Sequence, residues 1–258
     1  MKNKPKKIRQ EYSMTTLFIS DLHLCAERPG KLELFKTLLQ GSARKAESLY
    51  ILGDLFEAWA GDDDSTPPHG EIISELAAYT QSGPKLFIMR GNRDYLMSQR
   101  FAEMTGGQLL VDETLITLDG EKVLLMHGDT LCSEDVKYQV FRRIVNNVFS
   151  RNVFMLFPYA IRSEIWHKIR GAAKKSAQKK SEDIIDVSQS TVEKVMKKHH
   201  VLCLIHGHTH RQAAHEFKID GQDAKRIVLG DWIQEDCVLV SDKDGFRLLR
   251  IDEYLAYS

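Results

Sequence analysis

Five short apolar runs, each closed by polar or glycine-containing residues, punctuate the chain: Leu17–Ile19, Leu49–Leu52, Leu86–Met89, Val123–Met126 and Val201–Ile205. Each is too short for a helix and rich in Leu, Ile, Val and Phe, which predicts buried strands. Between the first three lie segments with apolar residues at helical spacing. Lys31–Leu39 carries Leu32, Phe35, Leu38 and Leu39, and Glu71–Tyr79 follows the same rule. Strand and helix therefore alternate in the first half, the pattern of an α/β fold. Beyond Val201 the pattern is mostly β. Arg226–Leu229, Cys237–Val240 and Phe246–Ile251 are short strand candidates between Gly and Asp turns, predicting a second sheet or a sheet edge.

One stretch breaks the alternation. From about Cys132 to Ser190 the spacing is helical, with Val136, Val140, Ile144 and Val148 at four-residue steps and Phe141, Val145 and Phe149 beside them. Val153–Tyr159 continues it, and the basic segment Arg162 to Lys180 holds seven Lys/Arg against Glu164 alone. We read 132–190 as a helical insertion into a core made of 14–131 and 191–258, with 1–13 a disordered basic tail.

Composition narrows the class. With 36 basic and 36 acidic residues the net charge is zero, and 43% hydrophobic with 28% charged residues suits a globular chain. Neither global basicity nor disorder is available as a mode of action. No apolar run reaches the ~20 residues of a membrane span, and no hydrophobic stretch follows the basic start. Cys25, Cys132, Cys203 and Cys237 form no regular framework, which favours a reducing, cytoplasmic setting.

The polar residues that close the strands carry the chemistry. They read Ser20-Asp21-Leu22-His23, Gly53-Asp54, Arg90-Gly91-Asn92-Arg93-Asp94, His127-Gly128-Asp129 and His206-Gly207-His208-Thr209-His210. Metal-ligand side chains thus arrive at one carboxyl edge, where open α/β sheets bind ligands. The glycines are expected to let the backbone turn there. Two Asp, four His and one Asn form an oxygen and imidazole set suited to Mn, Fe or Zn, too large for one catalytic ion and sufficient for two. Two such ions ~3.5–4 Å apart, joined by a carboxylate, activate water for in-line attack on phosphorus. Singly each ligand would be a turn residue or a satisfied polar group; converging at five strand ends, they define a site.

The order D-x-H, G-D, G-N, H, G-H-x-H resembles the calcineurin-like metallophosphoesterase superfamily. FISDLHL, LYILGDLFEAWAGDD, MRGNRDYL, LLMHGDTLC and IHGHTHR resemble one branch of it, diphosphatases of an acylated UDP-glucosamine lipid in lipid A biosynthesis. The resemblance runs from about Thr16 nearly to the end. It implies a two-sheet β-sandwich flanked by helices, with the insertion as a cap over the active site, and two Mn²⁺ ions. Asp21, His23, Asp54 and His210 would hold one ion, and Asp54, Asn92, His127 and His208 the other, with Asp54 bridging. Water would attack the uridine-side phosphorus. Asn92, Arg93, Asp135, Lys180 and His208 are expected near the substrate, with Asn92 and Arg93 in catalytic roles. The other partner implied is the anionic cytoplasmic face of the inner membrane, with peripheral attachment.

Where many relatives have G-N-H, this chain has Arg93, which cannot release a proton. Cleaving a diphosphate expels a phosphate of second pKa ~6, which needs charge neutralisation more than a proton. The alternative for Arg93 is an ion pair with Asp94. Ala173 and Ala177 stand where relatives have small polar residues ahead of the matched Lys180. Asp62-Asp63-Asp64 is read as a solvated loop, and His199, His200, His206 and His215 as structural or exposed. Two other functions remain open. A nuclease or phosphodiesterase on the same metals is disfavoured by zero net charge, so no nucleic acid is expected. A non-catalytic binding scaffold would be expected to lose ligands, and none is lost. No obligate protein partner is implied.

Overall fold

The computed structural model of the chain describes residues 15–177 and 186–257. The tail at 1–13 and Lys180 lie outside these residues. Strands β1 (Thr16–Ile19), β2 (Ser48–Leu52), β3 (Lys85–Met89) and β4 (Gln108–Leu110) run parallel. Strand β10 (Cys237–Asp242) pairs antiparallel with β1, and β11 (Gly245–Arg250) with β10, giving the order β11-β10-β1-β2-β3-β4. A second sheet has the order β5-β6-β7-β9-β8, from β5 (Thr114–Leu118), β6 (Glu121–Met126), β7 (Cys203–His206), β8 (Ala213–Ile219) and β9 (Gln222–Val228). Its middle strands β6, β7 and β9 are parallel.

The two sheets face each other because the strands are apolar on both sides. Phe18, Tyr50, Leu52 and Met89 of the first sheet meet Val123, Leu125, Cys203, Ile205 and Ile227 of the second. Alternate residues Leu17, Ile19, Leu49, Ile51 and Ile88 point the other way, into helices α1 (Pro29–Gln40) and α2 (His69–Gln81). The predicted stripe on α1, Leu32, Phe35, Leu38 and Leu39, is buried there, each side chain contributing ~1.5–3 kcal/mol. On the outer face of the second sheet Leu124, Met126 and Leu204 meet Val192, Val195 and Met196 of a later helix, Gln189–His199. The result is a helix–sheet–sheet–helix sandwich, with α3 (Gln99–Thr105) following β3.

Among the described residues the chain between β6 and β7 makes four α-helices, α4 (Val136–Asn146), α5 (Val148–Met155), α6 (Tyr159–Ala177) and α7 (Gln189–His199); Ile251–Tyr257 is α8. The apolar stripe read from the sequence on this insertion is exposed: Val136, Val140, Ile144, Val148 and Phe149 face solvent, and Leu156 is 83% accessible. The insertion is tied down at the start of α6. Trp166 is buried edge-on against Tyr95, and the buried Arg162 donates to the carbonyls of Ala60 (2.5 Å) and Phe157 (2.9 Å) and to Asp63.

This corrects the expectation for the acidic loop. Asp62 accepts from the amides of Ser98 (3.1 Å) and Phe101 (3.0 Å), anchoring the start of α3. Asp64 is buried and accepts from the Ala60 and Thr66 amides and from Tyr159 Oη at 2.7 Å. Asp63 and Asp64 are thus a joint between core and insertion, with Asp62 bonded on the core side. Two strand boundaries also move. Val201 donates its amide to Met196 and closes α7 instead of opening β7, and Ile251 begins α8 instead of ending β11.

Candidate metal centre

The expected ligands converge where β1, β2, β3, β6 and β7 end. Their backbone is unusual: Asp21 (φ 56), His23 (φ 50), Asp54 (φ 54), His208 (φ 72) and His210 (φ 59) all adopt the left-handed conformation, which is unfavourable for a residue with a Cβ and clusters at functional sites. The glycines do more than turn the chain. A Cβ on Gly91 would lie 2.1 Å from Asp54 Oδ1, and one on Gly207 would lie 2.0 Å from Ser20 Oγ and 2.3 Å from Asp21 Oδ2, so close approach is what excludes larger residues there.

Two groups of ligand atoms form. In the first, Asp21, His23 and His210 offer atoms within 4.8 Å of one another; His210 Nε2 is 3.3 Å from Asp21 Oδ1 and 3.2 Å from His23 Nε2. In the second, Asn92 Oδ1 is 3.1 Å from His127 Nε2 and 2.9 Å from His208 Nδ1. Asp21 also groups with Asp54 and His127. Its Oδ2 is already occupied by Ser20 Oγ (2.6 Å) and the His208 amide (2.8 Å), leaving Oδ1 to offer. Asp54 turns one oxygen each way: Oδ1 lies 3.8 Å from His127 Nε2, and Oδ2 lies 3.9 Å from His23 Nδ1.

This donor set fits cations. His127 Nδ1–H donates to the Leu52 carbonyl at 2.9 Å, and His210 Nδ1–H donates to Asp231 at 2.9 Å. Both rings are thereby oriented with Nε2 lone pairs toward carboxylate and amide oxygens, the arrangement of metal-ligating imidazoles. Asp21 Oδ1 and His23 Nδ1 are buried and have no hydrogen-bond partner among the described residues, a state that a cation would relieve. Without a cation the centre draws protons. Burial pulls His127 and His210 down, but Asp54 and Asp21 carry His127 up to about 9, and the neighbouring carboxylates of Asp21 and Asp231 carry His210 up to about 10. His208, by contrast, is lowered to about 4 by burial and by the charge of His127.

Beside the centre, Arg93 donates its amide to Asp54 Oδ1 at 2.8 Å and brings Nε within 3.4 Å of Oδ2. Its guanidinium pairs with Glu57, not with Asp94. Glu57 also receives Arg28 at 2.7 Å and Arg170, from α6, at 3.2 Å. Asp94 is buried and accepts the amides of Gly91 and Leu55, each at 2.7 Å; burial and the Asp54 charge raise it to about 7. It therefore fixes the two loops that carry Asp54 and Asn92. Asp135 caps α4, accepting from the Tyr138 amide at 3.2 Å. His206 is buried between the Gly207 carbonyl and Arg226. Sequence reasoning missed Asp231, although Gly230-Asp231 closes a strand as Gly53-Asp54 does. It also missed Glu57, Arg28 and Arg170, whose meeting requires the insertion to fold back, and nothing in their spacing announces it.

A mixed two-sheet sandwich with an Asp, Asn and His edge defines the class, and the chain belongs to it: the calcineurin-like phosphoesterase family matches over residues 14–212. A hydrolase of this family acts through divalent metal ions, for which the two groups above are the candidates. Within the class the chain falls among the UDP-2,3-diacylglucosamine hydrolases. It is 47% identical over 235 residues to the one from Aeromonas hydrophila (91% of this chain, 98% of that one), and 47% identical to that of Vibrio parahaemolyticus (91% and 97%). Identity to one from Escherichia coli is 45% over 236 residues, 92% of this chain and 98% of the other. Among solved structures, an archaeal phosphodiesterase aligns over 92% of this chain and 99% of its own, with a TM-score of 0.47 and 14% identity.

Proposed function

We propose that this chain hydrolyses the diphosphate of UDP-2,3-diacylglucosamine, giving UMP and 2,3-diacylglucosamine 1-phosphate. The observation that carries the reading is Asp54, set between two donor groups with an oxygen turned to each. The relatives' names supply the substrate. Asp21, His23, Asp54 and His210 would hold one divalent ion, and Asp54, Asn92, His127 and His208 a second; Mn²⁺ suits their oxygen and imidazole donors. Bound ions of this kind polarise phosphoryl oxygens and lower the pKa of water.

The chain's own groups do the rest. Leu52 and Asp231 hold His127 and His210 in the ligating tautomer, and Asp94 holds the Asp54 and Asn92 loops at fixed separation. Arg93 stands at the centre with its charge permanent, placed to neutralise the departing phosphate. The helices of 132–190 act as a cap, in which Asp135 and Lys180 contact the sugar or phosphates and the outward Phe149, Leu156 and Phe157 meet acyl chains or lipid. Among the described residues no helix is long and apolar enough to cross a membrane, so this exposed stripe, with the basic residues that follow it, supports peripheral attachment to the anionic inner face of the membrane.

The deciding experiment is phosphorus NMR of the products formed from UDP-2,3-diacylglucosamine and Mn²⁺ in water enriched in heavy oxygen. Label in UMP and none in the sugar phosphate is expected. No turnover, with brisk cleavage of a simple phosphodiester, would leave the metal centre in place and remove the substrate.

A further inference from the structure

The motif His127-Gly128-Asp129 ends in a carboxylate for which the metal centre has no use. Asp129 is 3% exposed. Its Oδ2 accepts two bonds from α4, Tyr138 Oη at 2.6 Å and Arg142 Nε at 2.5 Å, and its backbone carbonyl accepts Gln139 Nε2 at 2.8 Å. The other arm of Arg142 reaches Asp112 at 2.8 Å, and the second oxygen of Asp112 accepts the His127 amide at 3.3 Å. Both ends of the Arg142 fork therefore finish on residues tied to the ligand His127. The ring of Tyr138, held by its hydroxyl, lies stacked beside the ligand His208, with centroids 6.2 Å apart.

Apolar packing holds this helix at one half-buried point: Val145 rests against the main core, while α4 has no fully buried residue and Val136, Val140 and Ile144 face solvent. A bidentate guanidinium between two carboxylates is, by contrast, directional and strong in a part-buried setting. We propose that Asp129 is a positioning residue: by gripping Tyr138 and Arg142 it fixes where α4 stands over His208, and so how the acylated substrate is seated against the metal ligands. The proposal rests on the diphosphatase reading for its substrate, while the placement of α4 is a property of the free protein.

Two variants test it, one on each side of the grip. In Asp129→Asn and in Arg142→Gln, the KM for UDP-2,3-diacylglucosamine should rise about tenfold, the effect of losing one charge-assisted contact, with kcat falling less than about threefold and metal content unchanged. Amide hydrogen exchange in the substrate-free protein should quicken across Val136–Asn146 and stay slow across Glu121–Met126, and Arg142→Lys should recover part of the KM. A fall in kcat together with lost metal would overturn the proposal by making Asp129 part of the metal centre. Unchanged KM and unchanged exchange would overturn it by showing that α4 is held some other way. Failure of the diphosphatase reading would appear separately, as no turnover by the unaltered protein, and the exchange comparison would still decide where α4 gets its hold.

Discussion

Asp21 and Asp54 are both buried carboxylates at strand ends, and their second oxygens separate their roles. Ser20 and the His208 amide engage Asp21 Oδ2, whereas Asp54 faces both donor groups. Asp54→Asn should therefore weaken both ions at once and lower kcat at least about a hundredfold, the upper end of what is lost when residues that merely orient ligands are changed. Elemental analysis beside the kinetics checks it, and full metal with retained activity would refute a bridging Asp54. Arg93→Ala should lower kcat with metal content unchanged; lost metal would make its role structural. His127 and His210 give a pH dependence. In the metal-free protein their pKa values are raised from 6.5 to about 9 and about 10, so they stabilise the fold fully below 6.5 and lose that contribution as pH climbs through the raised values. Metal ions compete with those protons. The rise in Tm given by saturating Mn²⁺ over chelator should thus be larger near pH 9 than near pH 6, and an equal rise at both would count against it. The convergence of the seven candidate ligands was legible because each follows the end of an apolar run, where type and place reinforce one another. The left-handed backbone at five of them was not, since Asp and His carry no mark of that conformation; nor was Asp94, one residue beyond the Asn92-Arg93 pair.

At the scale of elements, apolar runs that are buried throughout announced their strands and half-exposed ones did not. In β5, Thr114–Leu118, Leu115 is 44% exposed, so an apolar residue on the solvent side hides the alternation. The strand β8 alternates weakly for the same reason, with only Ile219 buried. The helices of the insertion were legible as helices, while their attachment was not, because it is polar: Asp63 and Asp64 take Arg162 and Tyr159, and Glu57 takes Arg170. An acidic run reads as solvated until a buried arginine is found against it. Replacing Arg162 by Ala should lower unfolding stability by about 2–3 kcal/mol, the range for a hydrogen-bonded charge that leaves carbonyls unsatisfied. Urea unfolding measures it, and a change below ~0.5 kcal/mol would show that Trp166, Tyr159 and Arg170 seat α6 without Arg162.

For the whole molecule, zero net charge conceals an uneven surface. Apolar residues of α4, α5 and the turn after α5, among them Phe149 and the strongly exposed Leu156, share one insertion with the basic run of α6. Flotation with anionic vesicles should show binding that weakens with salt, and the pair Phe149→Asp with Leu156→Asp should reduce it about tenfold or more, each buried methylene being worth ~0.8 kcal/mol. Binding indifferent to lipid charge and to both substitutions would remove membrane attachment by this face. The topology has a further consequence, for synthesis. The central strand β1 is made before every other strand of its sheet, yet one of its two neighbours, β10, pairs Ser241 with Thr16 across most of the sequence. During translation β1 therefore waits with one edge open until β10 has emerged. Folding should be slow for a sheet of this size and most open to aggregation in that interval.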